Sequence, residues 1–316
     1  MPEVLTEDQS CIICGTPNSF AEAVCTTKDF CYETCSNEFE YLDCKNCGNI
    51  YLRNRPKVSE LSTIYPNNYL TYDYEKLLGG LIFKLRNKVQ SVKVKPLLRH
   101  LDDDDYIVDV GCGAGDFLSL VKEFGKKNWR LLGVDFSEAA IKKLESRGIE
   151  GLVGRIEDQK NDQLMGVGCF VMLQLIEHVE NPKDLMQHCV RMLRPGGIIL
   201  IETPNPYAWD PKLFKKRYWG CWHAPRHWNI LSPDLIKNLA KDCGLEVVEH
   251  NYTLNPFGWL HSVQYLLREK FNLIMLGKWF DVDKIVPLCA ASLIDVIQKT
   301  VSGKTSNQQI ILRKIT

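Results

Sequence analysis

The chain has 316 residues, enough for one large or two modest domains with a sizeable core. Apolar residues make up 45% and charged residues 25%, an ordinary globular balance, and 39 basic side chains cancel 39 acidic ones. Phosphate binding needs a positive field, so a generally basic nucleic-acid binder is excluded. The opening MPEVLTEDQS is polar and acidic and shows no secretory pattern, and no run of eighteen apolar residues occurs. A soluble cytoplasmic protein without a membrane span is therefore expected. Thirteen cysteines, an odd number, then point to metal binding and buried thiols rather than a disulfide framework.

Seven of those cysteines lie between Cys11 and Cys47. Cys11-x2-Cys14-Gly and Cys44-x2-Cys47-Gly are two knuckles of the kind that build a tetrahedral four-thiolate site. Four thiolates leave no open position, so a structural Zn2+ on Cys11, Cys14, Cys44 and Cys47 is expected. Cys25, Cys31 and Cys35 are rival ligands, read as spare thiols. A Tyr-rich connector follows from about 53 to 75. The stretch 77–101 reads as helical, with mixed apolar and basic faces, and the acidic run 102–105 as a turn or helix end.

From Tyr106 short apolar runs alternate with amphipathic segments. YIVDVG, RLLGVD, a short GLVG, VGCFVML, IILIET, LEVVEHNY and NQQIILRKI read as strands. AGDFLSLVKEFG, SEAAIKKLESRG, NPKDLMQHCVRMLRPGG and SPDLIKNLAKDCG read as helices, with Ser137 and Ser232 as caps and Gly148 as a stop. This order predicts an α/β fold with a doubly wound, Rossmann-like sheet. The segment 253–303 breaks the alternation with apolar, helix-like stretches. It reads as helices packed on the sheet edge, or as a lid or membrane-surface patch. Three parts result: a ribbon module at 1–55, connector and helices at 56–100, and the α/β domain at 101–316 with its 253–303 insertion.

The strongest chemical signal is Asp109-Val-Gly111-Cys-Gly113-Ala-Gly115, on a strand-to-helix turn. Glycines there admit a ligand to the backbone, and the helix start offers N–H groups. A dinucleotide fingerprint would need Gly at 116, where Asp116 stands. The acid before the first glycine instead suits a ligand that carries an ammonium group. Asp135 ends the next strand, where a carboxylate can accept both ribose hydroxyls.

With these residues in view, 106–203 resembles the class I S-adenosylmethionine-dependent methyltransferases. VDVGCGAGDF resembles that family's first motif and LLGVDFSEAAI its second. LQLIEHVENP and LRPGGIILIETPN resemble the segments around its fourth and fifth strands. The resemblance implies a seven-stranded sheet whose last strand is antiparallel and inserted beside the sixth. It implies that Asp109, Gly111, Gly113 and Gly115 hold the methionine part and Asp135 the ribose, with Cys112 and Phe136 also among the cofactor-binding residues. It places Ile156 and Glu157 near the adenine and Gln174 near the sulfonium. Ribbon followed by core resembles a bacterial subgroup associated with polysaccharide, sugar or secondary-metabolite modification. Sugar C-methyltransferases share that order but carry a further C-terminal domain, which weighs against C-methylation.

The segment 204–233 holds Tyr207, Trp209, Tyr218, Trp219, Trp222 and Trp228 with His223, Arg226 and His227. Such density on a loop at the carboxyl edge of a sheet suits stacking on a sugar or planar ring, although about half the aromatics are expected to pin the loop to the core. His227 is the expected general base, with His178 next and His223 third, and Glu177 faces the same pocket by position. The expectation is methyl transfer from S-adenosylmethionine to a hydroxyl of a sugar, nucleotide sugar or similar small metabolite. N- or C-methylation and a non-catalytic zinc-ribbon adaptor are the alternatives. The 253–303 helices are the candidate membrane-surface contact.

Overall fold

The computed structural model describes residues 1–66, 87–88, 90–159, 164–214 and 217–315. Residues 77–86 and 89 of the helix expected over 77–101 lie outside them. The N-terminal part contains β1 (Thr6–Asp8), β2 (Ala21–Thr27), β3 (Phe39–Cys44), β4 (Ile50–Leu52), β5 (Asn54–Pro56) and the single-turn α1 (Leu61–Ile64). Then come α2 (Lys95–His100), β6 (Tyr106–Val110), α3 (Asp116–Phe124), β7 (Arg130–Asp135), α4 (Glu138–Ser146), β8 (Glu150–Val153) and β9 (Val167–Leu173). The chain continues through α5 (Pro182–Met192), β10 (Leu193–Pro204), α6 (Trp209–Phe214), β11 (Asn229–Ile230), α7 (Pro233–Asp242) and β12 (Leu245–Thr253). It closes with α8 (Pro256–Tyr265), α9 (Ile274–Lys278), α10 (Ile285–Ser302) and β13 (Asn307–Lys314).

Seven strands form the main sheet in the order β12-β13-β10-β9-β6-β7-β8. β13 runs antiparallel to both β10 and β12, so the last strand is inserted beside the sixth, as expected. Side chains alternate across each strand. Val108, Phe170, Met172, Ile199, Ile201 and Ile310 share one core with α5 and α7. Ile107, Cys169, Val171, Ile198, Leu200 and Ile311 share the opposite core with α2, α3 and α4. Both faces are covered, which is why these strands read as continuous apolar runs. Ser137 and Ser232 cap α4 and α7, accepting from Ala140 and Leu235 N–H at 3.3 and 3.2 Å.

A second sheet, β11-β4-β3-β2, joins distant parts of the chain. β11 lies between β10 and α7, yet it pairs antiparallel with β4, setting Asn229 against Tyr51 and Ile230 against Ile50. One core follows, in which Phe39, Tyr41 and Leu52 pack with Trp219, Trp222 and Trp228. Three of the loop's aromatics are thus interior, whereas Tyr207 and Trp209 remain exposed.

Candidate active site

β6 ends at Val110, and the chain turns into α3 through Gly111, Gly113 and Gly115, with φ of 71°, 52° and 78°. A Cβ would come within 2.8 Å of Leu175 at Gly111 and 2.1 Å of Leu144 at Gly115. Conformation and space both require glycine there. Asp109 lies buried in β6 and Asp135 at the end of β7. The Asp135 carboxylate accepts from the Gly113 and Ser137 N–H groups, both at 2.9 Å. Burial raises both carboxyls, and the Asp135 charge raises Asp109 further. Two buried acids this close are relieved by a ligand bringing positive charge and hydroxyl donors. The ammonium and ribose of S-adenosylmethionine meet that requirement.

Cys112 is buried at this turn, and Phe136 stands out from it, 59% exposed. Ile156 is buried on the short turn Ile156–Asp158, and Glu157 beside it meets Arg155 at 3.4 Å. Gln174 follows β9 with φ of 53°. Its N–H donates to Glu202 O at 2.7 Å, and its amide donates to Asn307 at 2.9 Å. A non-glycine residue in that region is strained, and such residues cluster at functional sites.

Three histidines converge next to this edge. Backbone N–H groups of Trp228 and Asn229 donate to Glu177 O at 2.8 and 3.1 Å, drawing the loop onto the segment after β9. The His178 and His227 rings lie 4.5 Å apart edge to face, and His223 lies 5.0 Å from His227. His227 Nδ1 sits 2.8 Å from Cys221 O. A carbonyl only accepts, so Nδ1 carries the proton and Nε2 keeps the lone pair. His178 Nδ1 bonds the Tyr65 hydroxyl at 2.9 Å, and the Tyr65 ring meets Phe136 at 5.7 Å. Tyr65 thereby links the histidines to the cofactor edge.

Burial sets the charge state of this cluster. It pushes His227 down to about 4 and holds His178 and His223 well below the usual imidazole range. Burial also pushes Glu177 up to about 8. Glu177 Oε2 accepts from Thr203 at 2.9 Å, while Oε1 has no hydrogen-bond partner among the described residues. At neutral pH the cluster is three neutral imidazoles and a carboxylic acid. Donor atoms of Glu177, His178 and His227 all lie within 4.8 Å of one another, a set that could also hold a cation.

The profile of the methyltransferase domain matches residues 84–250, more than half of the chain. The chain belongs to the methyltransferase-domain family. It is similar to the ubiquinone biosynthesis O-methyltransferase of Cupriavidus pinatubonensis, 24% identical over 172 residues that cover 50% of this chain and 67% of that one. It is also similar to the enzyme of the same name from Idiomarina loihiensis, 31% identical over 131 residues covering 39% and 53%. The chain thus spans between about half and two thirds of the length of these curated relatives. Among solved structures, a SAM-dependent methyltransferase from Archaeoglobus fulgidus is similar, with TM-score 0.47 and 18% identity over 77% of this chain and 100% of that one. Membership of the methyltransferase-domain family supports S-adenosylmethionine as the methyl donor, and the glycine turn and two aspartates are the residues present to receive it.

The four knuckle cysteines of the methyltransferase also meet. Cys11 and Cys47 sulfurs are 3.5 Å apart, Cys14 and Cys44 are 3.6 Å apart, and all four lie within 4.8 Å. A tetrahedron with metal–sulfur bonds of about 2.3 Å has sulfur–sulfur edges of roughly 3.8 Å, so the set fits one ion. Gly15 and Gly48 turn each knuckle with φ of 70° and 74°. Cys25, Cys31 and Cys35 stand outside this group, with Cys25 and Cys35 buried in the core shared with the tryptophans.

Sequence reasoning missed what ties the loop down. Arg226 and Asp29, both fully buried, form a two-pronged ion pair at 3.0 Å per bond. The Tyr41 hydroxyl reaches the carbonyls of Trp222 and His227 at 2.8 and 2.7 Å. Asn49 donates to Asn229 at 2.9 Å. Periodicity shows none of these, because each joins residues about 180 or more positions apart.

Proposed function

We propose that this methyltransferase transfers its methyl group to a hydroxyl of a small acceptor, with a sugar or comparable metabolite as the acceptor class and a structural zinc on Cys11, Cys14, Cys44 and Cys47. The O-methyltransferase names of the relatives support oxygen over nitrogen or carbon. Those names also favour a second reading, an acceptor belonging to ubiquinone biosynthesis. The observation that carries the proposal is the buried imidazole of His227, its tautomer fixed by Cys221 with Nε2 left basic.

When bound, S-adenosylmethionine supplies an electrophilic methyl group on a sulfonium. The chain's own residues then do two things. The glycine turn, Asp109 and Asp135 hold one reactant still while the loop aligns the other, and positioning of this kind is the main source of acceleration. His227 Nε2 takes the hydroxyl proton. An oxygen that has begun to bond a methyl carbon is a strong acid, so an imidazole with pKa about 4 still captures its proton. Glu177, held as the neutral acid, adds no competing negative charge.

His227→Ala tests this with a panel of sugar and ubiquinone-biosynthesis acceptors and labelled cofactor. Turnover should fall about 10²–10⁴-fold with cofactor affinity unchanged. The wild-type rate should stay level between about pH 5 and 7 and fall through about pH 4, because protonated His227 cannot accept. Wild-type turnover in His227→Ala with loss of activity in His178→Ala would move the base to the segment after β9. Loss in neither would leave no general base.

A further inference from the structure

We infer that the insertion between β12 and β13 docks on an anionic lipid bilayer, lying in its surface. α10 is built inside out. Its buried positions are Pro287, Ala291, Asp295 and Gln298, one stripe that includes two polar side chains. Asp295 accepts from the Asn255 N–H and from Trp259 Nε1, and the Gln298 amide oxygen accepts from the Trp209 N–H at 2.9 Å. The outward positions are instead apolar. Ile285, Val286 and Leu293 are each more than 60% exposed, and Ile294, Val296 and Ile297 more than 40%. At 3.6 residues per turn these outward side chains spread over about half the circumference. An isolated apolar residue on a surface needs no explanation, but a continuous apolar face does.

The segment before α10 adds exposed apolar side chains of its own. Leu273, Ile274, Met275, Leu276 and Trp279 are exposed in sequence, Met275 at 80%. Lys270 and Lys278 flank this segment and form no ion pair among the described residues. Lys284, paired with Asp283 at 2.7 Å, precedes α10, and Lys299 in its last turn donates to Tyr252 O at 2.6 Å. An apolar face edged by an interfacial tryptophan and lysines is the pattern of a helix lying at the headgroup boundary. By length and composition α10 could cross a membrane, with mean hydropathy 1.4. Its polar stripe, fixed to α8 and α6 through Trp259 and Trp209, holds it against the protein instead. A half-circumference of apolar side chains suits a fluid apolar medium better than a second folded surface. Lys270 and Lys278 favour anionic headgroups.

Flotation of the full chain with vesicles tests the assignment, using phosphatidylcholine alone and phosphatidylcholine with phosphatidylglycerol. The protein should float with the anionic vesicles and far less with the neutral ones, and the bound fraction should fall on raising the salt. Met275→Glu and Ile294→Glu change exposed positions, so cofactor binding should persist while vesicle affinity drops roughly tenfold or more. Sedimentation in the absence of lipid should give a monomer. Failure to float with either vesicle, flotation that survives both substitutions, or a dimer that the same substitutions dissociate would overturn the proposal.

Discussion

Arg226→Ala should cost about 3–5 kcal/mol of stability at neutral pH. Its guanidinium donates to both Asp29 oxygens at 3.0 Å and to Ile64 O at 2.7 Å, and neither side chain of the pair is exposed. Burial pushes the Asp29 carboxyl up, but the Arg226 hydrogen bonds and charge, with Thr34, outweigh it and hold the group below its ordinary value. Removing the arginine leaves a buried carboxylate with only its local Tyr32 and Thr34 donors. That penalty is a large share of the 5–15 kcal/mol typical of a domain. Urea unfolding followed by tryptophan fluorescence reads it, since Trp222 and Trp228 share this core. Asp29→Ala in the same chain removes the stranded charge, so the double variant should be at least as stable as Arg226→Ala alone. The single variant should also recover on acidification. With its partner gone Asp29 has a raised folded pKa, so protonation restores stability below the usual carboxylate value, and that stability is lost as pH rises. A loss under about 1 kcal/mol, or strictly additive single variants, would refute the claim that this pair holds the loop.

Asp135→Ala should weaken S-adenosylhomocysteine binding by about 1–3 kcal/mol in calorimetry, by leaving ribose hydroxyls unpaired in a buried site. Cys44→Ser should abolish one equivalent of zinc by elemental analysis and unfold the N-terminal module, because metal binding energy in such sites is folding energy. Glu177→Gln should leave the melting temperature near wild type at pH 4 and raise it at pH 9. The folded pKa of about 8 lies above the ordinary 4.5, so the stability that Glu177 contributes is present below 4.5 and lost as pH rises through 8, up to about 4–5 kcal/mol in all.

The methyltransferase sheet was legible in the sequence because each strand is a short apolar run bounded by a cap or a glycine. β10 starts earlier than IILIET suggests, at Leu193, with a register shift before Ile198. Arg194-Pro-Gly-Gly reads as a helix stop and conceals the strand it belongs to. β11 has two residues and no period at all; its partner β4 is the only thing that makes it a strand. The tryptophans were legible as a cluster but not as to side. Composition cannot tell an aromatic that receives a ligand from one that seals a core, and Trp219, Trp222 and Trp228 seal it. Tyr65 carried no signal either, since its role lies in what it touches. The insertion reads as helical in the sequence, but only contacts reveal that Asp295 and Gln298 face inward.

The sheet shared by β4 and β11 has a consequence for how this enzyme could change its acceptor. Residues near position 40 and residues near position 227 are shaped against each other, so a new loop sequence would need a matching cysteine module to sit on. Transplanting the loop alone into another methyltransferase would strand its tryptophans in water and its arginine without a counter-charge. On the proposed reading of the loop, acceptor choice would pass on only as two separated stretches of chain exchanged together, and chimaeras that join the sequence anywhere between 66 and 217 should express poorly unless both halves come from one parent.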